Sequence, residues 1–390
     1  MPIASLQPYA ARGVFLALAL MPLLAVYSPI GMTPLAVALA LLAAAWAKDA
    51  PLFPMARGFW FGAAGLLLWG VVTLCWSIEP QATLVHAAKL SGMLAVAWAV
   101  HRMLPASPAP LRLLVTGFAL GLGAIWLAHL TQGVTMGKDP LYWKDHRLNR
   151  SVCILAVLMW PLVGLLWRRL APGRRTIACG TLLVATAATV LPMESQSATL
   201  GLLAGVGVAA VTAWKPGFAR LLAWAAPLFL AAMLAGFTQL RAEPLANSAL
   251  AGFPQSALHR LYIWEFATSR AVEQPVLGWG LGSSRYLPGG QGVVYPDKIL
   301  MPLHPHNSVL QIWVELGLPG VAAFMAALWF LFRQISTLAQ PWAACGAGLL
   351  TTHVIIGLTG YGVWQEWWIA TGVLCSAALT LFMREEQRTG

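Results

Sequence analysis

Apolar residues occur along this chain in long, nearly continuous runs, and polar residues are confined to the segments between the runs. The runs approach the length of about 20 residues that an α-helix needs to cross the hydrocarbon core of a membrane. Twelve of them lie near residues 11–30, 33–48, 58–76, 88–104, 111–130, 151–168, 176–193, 197–214, 218–238, 308–332, 341–360 and 364–383. Because a chain in lipid must satisfy its own backbone hydrogen bonds, the pattern predicts an all-α polytopic membrane protein with about 12 transmembrane helices.

The composition agrees with this class of protein. Of the 390 residues, 59% are apolar and only 9% are charged, whereas about a quarter of the residues of a soluble domain are charged. The first run lacks a small-residue cleavage site and more runs follow it, so we expect no cleavable signal peptide. The five cysteines lie in or beside apolar runs, and we therefore expect neither a disulfide framework nor a metal site.

Positive charges are distributed unevenly among the connecting segments. The short loops near 28–32, 77–87 and 361–367 contain no lysine or arginine. The alternate loops and both termini contain Arg12, Lys48, Arg57, Arg102, Arg112, Arg168, Arg169, Arg174, Arg175, Lys215, Arg220, Arg333, Arg384 and Arg388. Since cytoplasmic loops are enriched in these residues, both termini are predicted to be cytoplasmic. The net charge of +11 is thereby attributed to topology, and nucleic acid is not expected as a partner.

This topology divides the chain into three parts. Residues 1–238 are predicted to form the first nine transmembrane helices, residues 239–307 a large, partly helical periplasmic loop, and residues 308–390 the last three helices. Within the loop, "SALHRLYIWEFATSRAVEQP" has apolar residues at helical spacing and predicts an interfacial amphipathic helix that ends before Pro275. The "LGWGLGSSRYLPGGQGVVYP" segment that follows is rich in glycine and is expected to be irregular.

Cationic side chains are frequent in the two long outer loops, near 131–150 and 239–307. They are Lys138, Lys144, Arg147, Arg150, Arg241, Arg260, Arg270, Arg285 and Lys298. Long loops are exempt from the positive-inside rule, and a guanidinium group binds two phosphate oxygens at once. The cluster therefore predicts an anionic ligand. Any one of these arginines could instead contact lipid headgroups or pair with a nearby glutamate.

A short polar segment precedes the tenth apolar run, in "HPHNSVLQIWVELGLPG" at residues 304–320. If a helix begins near Pro305, then His306, Leu310 and Trp313 share one of its faces, with His306 at the outer end. A neutral imidazole, whose ordinary pKa is about 6.5, accepts a proton at the pH of an external compartment. His306 is thus a candidate general base, although a capping or interfacial role would also account for it. Two histidines with no third ligand nearby do not predict a metal site.

The same segment resembles the signature of the bacterial O-antigen ligase and O-antigen polymerase superfamily. That signature is a histidine and an asparagine, followed by an apolar helix with a Glu-Leu-Gly-x-x-Gly ending. "HRLYIWEFATSRAVEQPVLGWGLGSS" resembles the segment that precedes it in the family, and "LNRSV" resembles the family's pattern at the start of a middle helix. The matching residues are His306, Asn307, Glu315, Gly317, Gly320, Arg260, Trp264, Pro275, Gly278, Gly280, Gly282, Asn149 and Arg150.

The resemblance implies a membrane glycosyltransferase that works on the periplasmic side of the bacterial inner membrane. Such enzymes transfer a glycan from an undecaprenyl-diphosphate carrier to a hydroxyl group, with inversion and without a metal or nucleotide cofactor. Ligases use lipid A–core as the acceptor, and polymerases use another glycan. The expected partners are therefore the lipid-linked glycan, the glycan acceptor and membrane lipids.

The resemblance also implies roles for individual residues. Arg260 would hold the diphosphate, and His306 would take the proton from the attacking hydroxyl or align it. Asn307 would bind sugar or orient the imidazole, and the other predicted substrate-binding residues are Arg285, Arg150, His304 and Trp264. A structural role is preferred for Glu315 and for the two glycines that follow it.

One position departs from the family pattern, and it bears on the choice between ligase and polymerase. Many members have an arginine in a short Ser-Arg-Ala/Gly motif where this chain has Gln196 and Ser197, close to Glu194. This departure favours a polymerase, whereas the histidine motif with its glycine spacing favours a ligase.

Two other classes of protein stay open. A transporter or flippase would have ionisable groups at the membrane midplane, and the candidates are few: Lys89, His129 and His353. A non-catalytic scaffold would function without His306.

Overall fold

The computed structural model of the chain describes residues 7–46, 56–102, 108–132, 148–247, 252, 254–295 and 298–389. Almost all of the regular structure in these residues is helical. The helices are α1 Gln7–Tyr27, α2 Met32–Trp46, α3 Ala56–Val72, α4 Pro80–Val100, α5 Leu111–Leu130, α6 Asn149–Arg169, α7 Pro172–Val190, α8 Gln196–Trp214, α9 Phe218–Phe237, α10 Ala242–Asn247, α11 Gln255–Glu273, α12 Ser308–Ile335, α13 Trp342–Thr359 and α14 Glu366–Thr389. Two short strands, β1 Val293–Tyr295 and β2 Lys298–Ile299, pair antiparallel.

Ten of these helices, α3 to α9 and α12 to α14, are long and apolar enough to cross a membrane. Helices α1 and α2 are shorter apolar helices, and each of the twelve apolar runs coincides with one of the twelve helices. The prediction of an all-α polytopic membrane protein is therefore confirmed. The count of 12 transmembrane helices stays a prediction.

Helix α6 lies at the centre of the bundle, and 83% of its apolar span is buried inside the protein. A helix that is apolar on every side is expected to be enclosed in this way. The indole Nε1–H of Trp160 on α6 donates to the Thr352 hydroxyl on α13 over 3.0 Å. Helix α8 approaches α13 closely because Gly201 and Gly205 lack a side chain at the contact, as is common between membrane helices.

Helix α4 begins at Pro80, eight residues before the fourth predicted run, so that predicted boundary is wrong. Proline is favourable in the first turn of a helix because its missing N–H would have no partner there. The first turns of α4 contain the polar residues Thr83 and His86, which made this segment resemble a loop. Other parts of the chain cover both: the Thr83 hydroxyl donates to the Leu281 carbonyl over 2.8 Å, and His86 lies against Gly282.

Helix α12 is broken at Gly317, which has a left-handed φ of 64° and ψ of −166°. The break divides α12 into an upper segment, residues 308–316, and a lower segment, residues 318–335. A side chain at position 317 would overlap the carbonyl oxygen of Val276. Gly317 is therefore required both by its conformation and by the close approach of another backbone.

The segment that approaches is residues 275–284, which we call the glycine loop. Trp279 N–H donates to the Val314 carbonyl over 2.9 Å, and Gly280 N–H donates to the Glu315 carbonyl over 2.8 Å. Below the break, Leu318 N–H donates to the Pro275 carbonyl over 3.0 Å. The loop thus satisfies backbone groups that the break removes from the helix, as the interior of a membrane protein requires. The three glycines of this loop with positive φ are Gly278, Gly280 and Gly282.

Helix α11 ends at Glu273, in agreement with the helix that the sequence predicts before Pro275. Its buried residues are Leu258, Ile263, Ala267, Thr268 and Ala271, and the helix packs on α12 and α9. The apolar face of this helix is thus used for packing on the protein, whereas the sequence predicted an interfacial helix.

Candidate active site

The segment that contains the two histidines ends at the start of α12. Asn307 is the N-cap of this helix: its side-chain Oδ1 accepts a hydrogen bond from Leu310 N–H over 3.0 Å. The predicted helix start near Pro305 is therefore wrong, because the cap residue itself is extended and the helix begins at Ser308. His306 lies outside the helix, so it does not share a helical face with Leu310.

The other half of the Asn307 amide also bonds to the protein. Its Nδ2–H donates to the Leu358 carbonyl over 3.0 Å, and the side chain is only 1% exposed. The amide therefore joins the start of α12 to the end of α13. These two hydrogen bonds account for both polar atoms of the amide, and the predicted contact with substrate stays a prediction.

A hydrogen bond to the backbone determines the protonation of the His306 ring. Its Nδ1 lies 2.7 Å from the Gly360 carbonyl oxygen, which can only accept. Nδ1 therefore holds the proton of the neutral ring, and Nε2 has a free lone pair. No residue that the structure describes forms a hydrogen bond with this Nε2. The ring is thus in the tautomer that a general base requires.

The backbone of His306 is held in a left-handed conformation with a φ of 55°. Such a conformation costs about 1–3 kcal/mol in a residue with a side chain, and it persists where neighbouring contacts impose it. Here the contacts are the Gly360 carbonyl on the ring and the Nδ1 of His304, which accepts from His306 N–H over 3.1 Å.

His304 supports His306 from one side. The two ring centroids are 4.4 Å apart, and His304 is buried. Nδ1 of His304 accepts from the backbone N–H of His306 over 3.1 Å, and Nε2 of the same ring lies 3.1 Å from the side-chain amide of Gln365. Burial and, to a smaller extent, the charges of His306 and Arg260 together lower the pKa of His304 to about 3. His304 is therefore neutral and suited to positioning its neighbour.

Burial also lowers the pKa of His306, to about 4. The hydrogen bond to Gly360 raises this pKa, and the positive charges of Arg260 and His259 lower it. The imidazole is consequently half protonated near pH 4 and neutral well above it, so its Nε2 is available to accept a proton across the usual range of external pH.

Arg260 on α11 lies within electrostatic range of both histidine rings, because its charge lowers the pKa of each. Its guanidinium is half-buried and makes no hydrogen bond or ion pair with any residue in the described part of the chain. Burial lowers the pKa of Arg260, and the Tyr361 phenol opposes that effect. A partly desolvated guanidinium without such a partner is suited to an anion that comes from outside the chain.

A second arginine lies near Tyr361. The guanidinium of Arg150, at the start of α6, lies 5.6 Å from the centre of the Trp367 ring, and the Tyr361 ring meets Trp367 edge-on at 4.7 Å. Burial raises the pKa of Tyr361, and the charges of Arg150 and Arg260 both oppose that rise. Tyr361 therefore lies within range of both guanidinium groups. Sequence reasoning missed it because no motif marks the loop that contains it.

Of the remaining predicted residues, one belongs to this group and one does not. Trp264 Nε1–H donates to the Pro305 carbonyl over 2.9 Å, so the indole ties α11 to the histidine segment. Arg285 is exposed, with its guanidinium 5.6 Å from the centre of the Tyr286 ring. No hydrogen bond or ring contact among the described residues joins the Arg285 side chain to His306.

Gln196 and Ser197 occupy the position at which many family members have an arginine, and Ser195 precedes them. The Ser195 hydroxyl caps α8 through Ala198 N–H and donates to Asn149 Oδ1 at the start of α6. The Ser197 hydroxyl donates to the Thr359 carbonyl over 2.9 Å. The serines thus join α8 to α6 and to the end of α13.

Three helices, α6, α8 and α12, consequently begin around Gly360 and Tyr361. The N-terminus of a helix has a partial positive charge of roughly half a unit, and its free N–H groups favour anions. Together with Arg150 and Arg260, these helix ends make a positively polarised region around Tyr361, and Arg260 also lies within electrostatic range of His306. The arrangement can hold an anionic group and place a base next to it.

Comparison with known proteins shows which proteins this chain is similar to. Residues 181–325 match the family model described as O-antigen ligase. Proteins named "putative polysaccharide ligase" are also similar. The one from Rickettsia conorii is 31% identical over 253 residues, which are 62% of this chain and 59% of that protein. The one from Rickettsia bellii is 24% identical over 328 residues, which are 82% of this chain and 79% of that protein.

A shorter match reaches 33% identity with the Rickettsia prowazekii protein over 153 residues, 38% of each chain. This chain thus spans about three fifths of the first of these relatives and under two fifths of the one from R. prowazekii. The family match contains Arg260 and His306, whereas Arg150 and Tyr361 lie outside it. The resemblance to the O-antigen ligase superfamily is confirmed.

Proposed function

We propose that this chain, which the comparisons relate to the O-antigen ligase superfamily, transfers a glycan from undecaprenyl diphosphate to a lipid A–core acceptor. The reaction takes place on the periplasmic side of the bacterial inner membrane, and both termini of the chain are cytoplasmic. The transfer inverts the anomeric carbon and uses neither a metal nor a nucleotide.

One observation supports this proposal above the others: the free Nε2 of His306 lies in a site with two guanidinium groups and no described carboxylate partner for either. A non-catalytic scaffold does not require a neutral, oriented imidazole. A transporter would require its ionisable groups at the membrane midplane, and this site lies at the helix ends.

The chemistry follows from these groups. The acceptor hydroxyl gives its proton to Nε2 of His306 while its oxygen forms a bond to the anomeric carbon. The bond from that carbon to the carrier phosphate breaks, and its electron pair leaves with the diphosphate. Arg260 is the main group that stabilises the negative charge on the leaving group, and Arg150 is the second. A diphosphate leaves readily, so the site supplies positioning, charge stabilisation and one proton acceptor.

The test is a transfer assay with purified protein, a lipid-diphosphate glycan as donor and lipid A–core as acceptor, with and without a chelator. Product in both conditions that disappears with His306→Gln supports the proposal. Full activity in the His306→Gln protein would overturn the assignment of the base. Activity that requires a divalent cation would overturn the metal-independent reaction.

A second candidate is a polymerase of the same superfamily, which joins glycan repeat units or an exopolysaccharide. The observation that favours it is the absence of the family arginine, in whose place this chain has Gln196 and Ser197. Gel analysis of lipopolysaccharide from a deletion strain separates the two. A ligase predicts loss of every long-chain band while lipid-linked polymer accumulates, and a polymerase predicts a band of core plus one repeat.

A further inference from the structure

Glu315 is a fully buried carboxylate that the proposed reaction does not use. It lies at the lower end of the upper segment of α12, two residues before the break at Gly317. Its two oxygens accept four hydrogen bonds. The donors are Gly282 N–H (2.6 Å) and Trp364 Nε1–H (2.6 Å) on Oε2, and the Ser284 hydroxyl (2.5 Å) and Gln311 Nε2–H (3.0 Å) on Oε1.

Three of these donors come from two segments that are far apart in sequence. Gly282 and Ser284 belong to the glycine loop, and Trp364 belongs to the segment 360–365 between α13 and α14, which we call the α13–α14 loop. The neighbouring Gln311 binds that same loop, because its Oε1 accepts from Val363 N–H over 2.9 Å. The upper segment of α12 therefore holds both loops through one glutamate and one glutamine.

The α13–α14 loop is the element that orients the histidines. Its Gly360 carbonyl accepts from Nδ1–H of His306, and its Gln365 side chain contacts His304. Glu315 is thus connected to the His306 ring through Trp364 and the backbone of this loop. The main chain of Glu315 is fixed as well, because its carbonyl accepts from the glycine loop.

Only a carboxylate can accept from these four donors at once. A carboxylate has two acceptor oxygens, whereas a glutamine side chain of the same shape would turn an N–H₂ group toward two of the donors. A buried donor without an acceptor is unfavourable, so the loops would move apart. Glu315→Gln therefore changes the hydrogen bonding while it preserves the volume of the side chain.

We propose that Glu315 is a positioning residue: through Trp364 it keeps the α13–α14 loop in place, so that the Gly360 carbonyl holds His306 in the Nδ1–H tautomer with Nε2 free. This assignment rests on the proposed function for its catalytic consequence. The tautomer itself is independent of that function and can be measured without substrate.

The experiment uses full-length protein with ¹⁵N-labelled histidine in detergent, in which the two tautomers of a neutral imidazole give different nitrogen shifts. The His306→Gln variant identifies the His306 signals by their loss. We expect wild type and the control Glu273→Gln to show one set of His306 nitrogen signals, those of the Nδ1–H tautomer. Glu273 is an exposed residue whose carboxylate pairs with Arg270 over 2.9 Å. The Glu315→Gln protein is expected to show a mixture of tautomers.

The Trp364→Phe variant provides the second test, because it keeps an aromatic ring and removes one donor. It is expected to show the same mixture of His306 tautomers, with a smaller share of the second tautomer. This measurement tests the proposal even if the Glu315→Gln protein does not fold. In transfer assays, kcat should fall by up to about 100-fold in Glu315→Gln with an unchanged KM for the lipid diphosphate, since small displacements of a base have effects of that size.

An unchanged His306 tautomer in both variants would overturn the positioning role, whatever happens to activity. If the tautomer shifts as expected but wild type transfers no glycan, the proposed function fails and the assignment of Glu315 stands. Restoration of the single tautomer by Glu315→Asp would support the need for a carboxylate.

Discussion

The two ends of α6 and α14 differ in how their charges are balanced. At one end, Arg169 on α6 pairs with Glu385 on α14, and the same carboxylate accepts from Ala109 N–H over 3.1 Å. At the other end, Arg150 on α6 lies over the Trp367 ring on α14, and no carboxylate in the described part of the chain pairs with it.

The difference indicates a structural role for Arg169 and a role in ligand binding for Arg150. A guanidinium that has its carboxylate within the chain stabilises the helix pair and has little need of another anion. The guanidinium groups of Arg150 and Arg260 have no such partner among the described residues. Both lie within electrostatic range of Tyr361, and Arg260 also lies within range of the neutral His306. Charged groups arranged in this way are typical of functional sites, where the ligand supplies the missing charge.

The largest expected effect comes from removing the base at the unbalanced end. His306→Gln should lower kcat by about 10²–10⁴-fold, the usual contribution of general base catalysis, because no other described group with a free lone pair takes its place. The measurement is glycan transfer by purified protein at equal protein concentration. His129→Gln, at the end of α5, serves as the control and should retain activity. Equal loss in both variants would contradict a specific role for His306.

The next effect concerns the break in α12, which sets the position of the histidine segment. Gly317→Ala should lower the free energy of unfolding by about 1–3 kcal/mol, because an added Cβ overlaps the Val276 carbonyl and the φ is left-handed. Gly207→Ala on α8 is the matched control, since no other atom lies near its Cβ position. Thermal unfolding in detergent measures both. Two equally stable variants would show that the break does not require glycine.

The pH dependence distinguishes a buried, neutral imidazole from an exposed one. The pKa of His306 is lowered to about 4, so activity should persist as the pH falls below 6.5 and should decline only as it passes about 4. The sign is the same for stability. Between pH 6.5 and 4 the unfolded chain binds a proton that the folded chain does not, so folding weakens as the pH falls through this window.

The measurement is a pH profile of kcat, together with thermal unfolding of wild type and His306→Gln at each pH. The variant should lose less stability on acidification than wild type. A decline in activity centred at pH 6.5 would show that the imidazole is exposed.

The smallest effect is expected for the tie between α11 and the histidine segment. Trp264→Phe removes the hydrogen bond to the Pro305 carbonyl and keeps the apolar ring, so the loss should be about 0.5–1.5 kcal/mol. Trp214→Phe, at an exposed position on α8, should change stability by less than about 0.5 kcal/mol. Identical thermal unfolding of the two variants would show that the Trp264 indole hydrogen bond does not stabilise the site.

Helix positions could be predicted because a long apolar span in lipid satisfies its backbone groups most simply as a helix. The start of α4 could not, since Thr83 and His86 are polar and their partners in the glycine loop are about 200 residues away. The break in α12 was equally hidden. The sequence marked Gly317 only as a structural glycine, and contact with the glycine loop accounts for the loss of helical structure there.

The site shows a similar division. The histidine–asparagine pair and Arg260 were marked by sequence motifs, and the structure places them together. Tyr361 had no such mark, because its importance depends on the convergence of α6, α8 and α12. Glu315 was predicted to be structural, and its four hydrogen bonds agree with that. Spacing within one helix could not indicate which distant loops it would hold.

The most direct test of the account is the binding of undecaprenyl diphosphate to purified wild-type, Arg260→Gln and Arg169→Gln proteins. We predict that Arg260→Gln weakens the Kd by about 10- to 100-fold, the value of a charge-assisted hydrogen bond, without loss of thermal stability. Arg169→Gln should bind as wild type and unfold at a lower temperature. Equal affinity of wild type and Arg260→Gln for the lipid diphosphate would contradict the claim that the Arg260 guanidinium binds this anion.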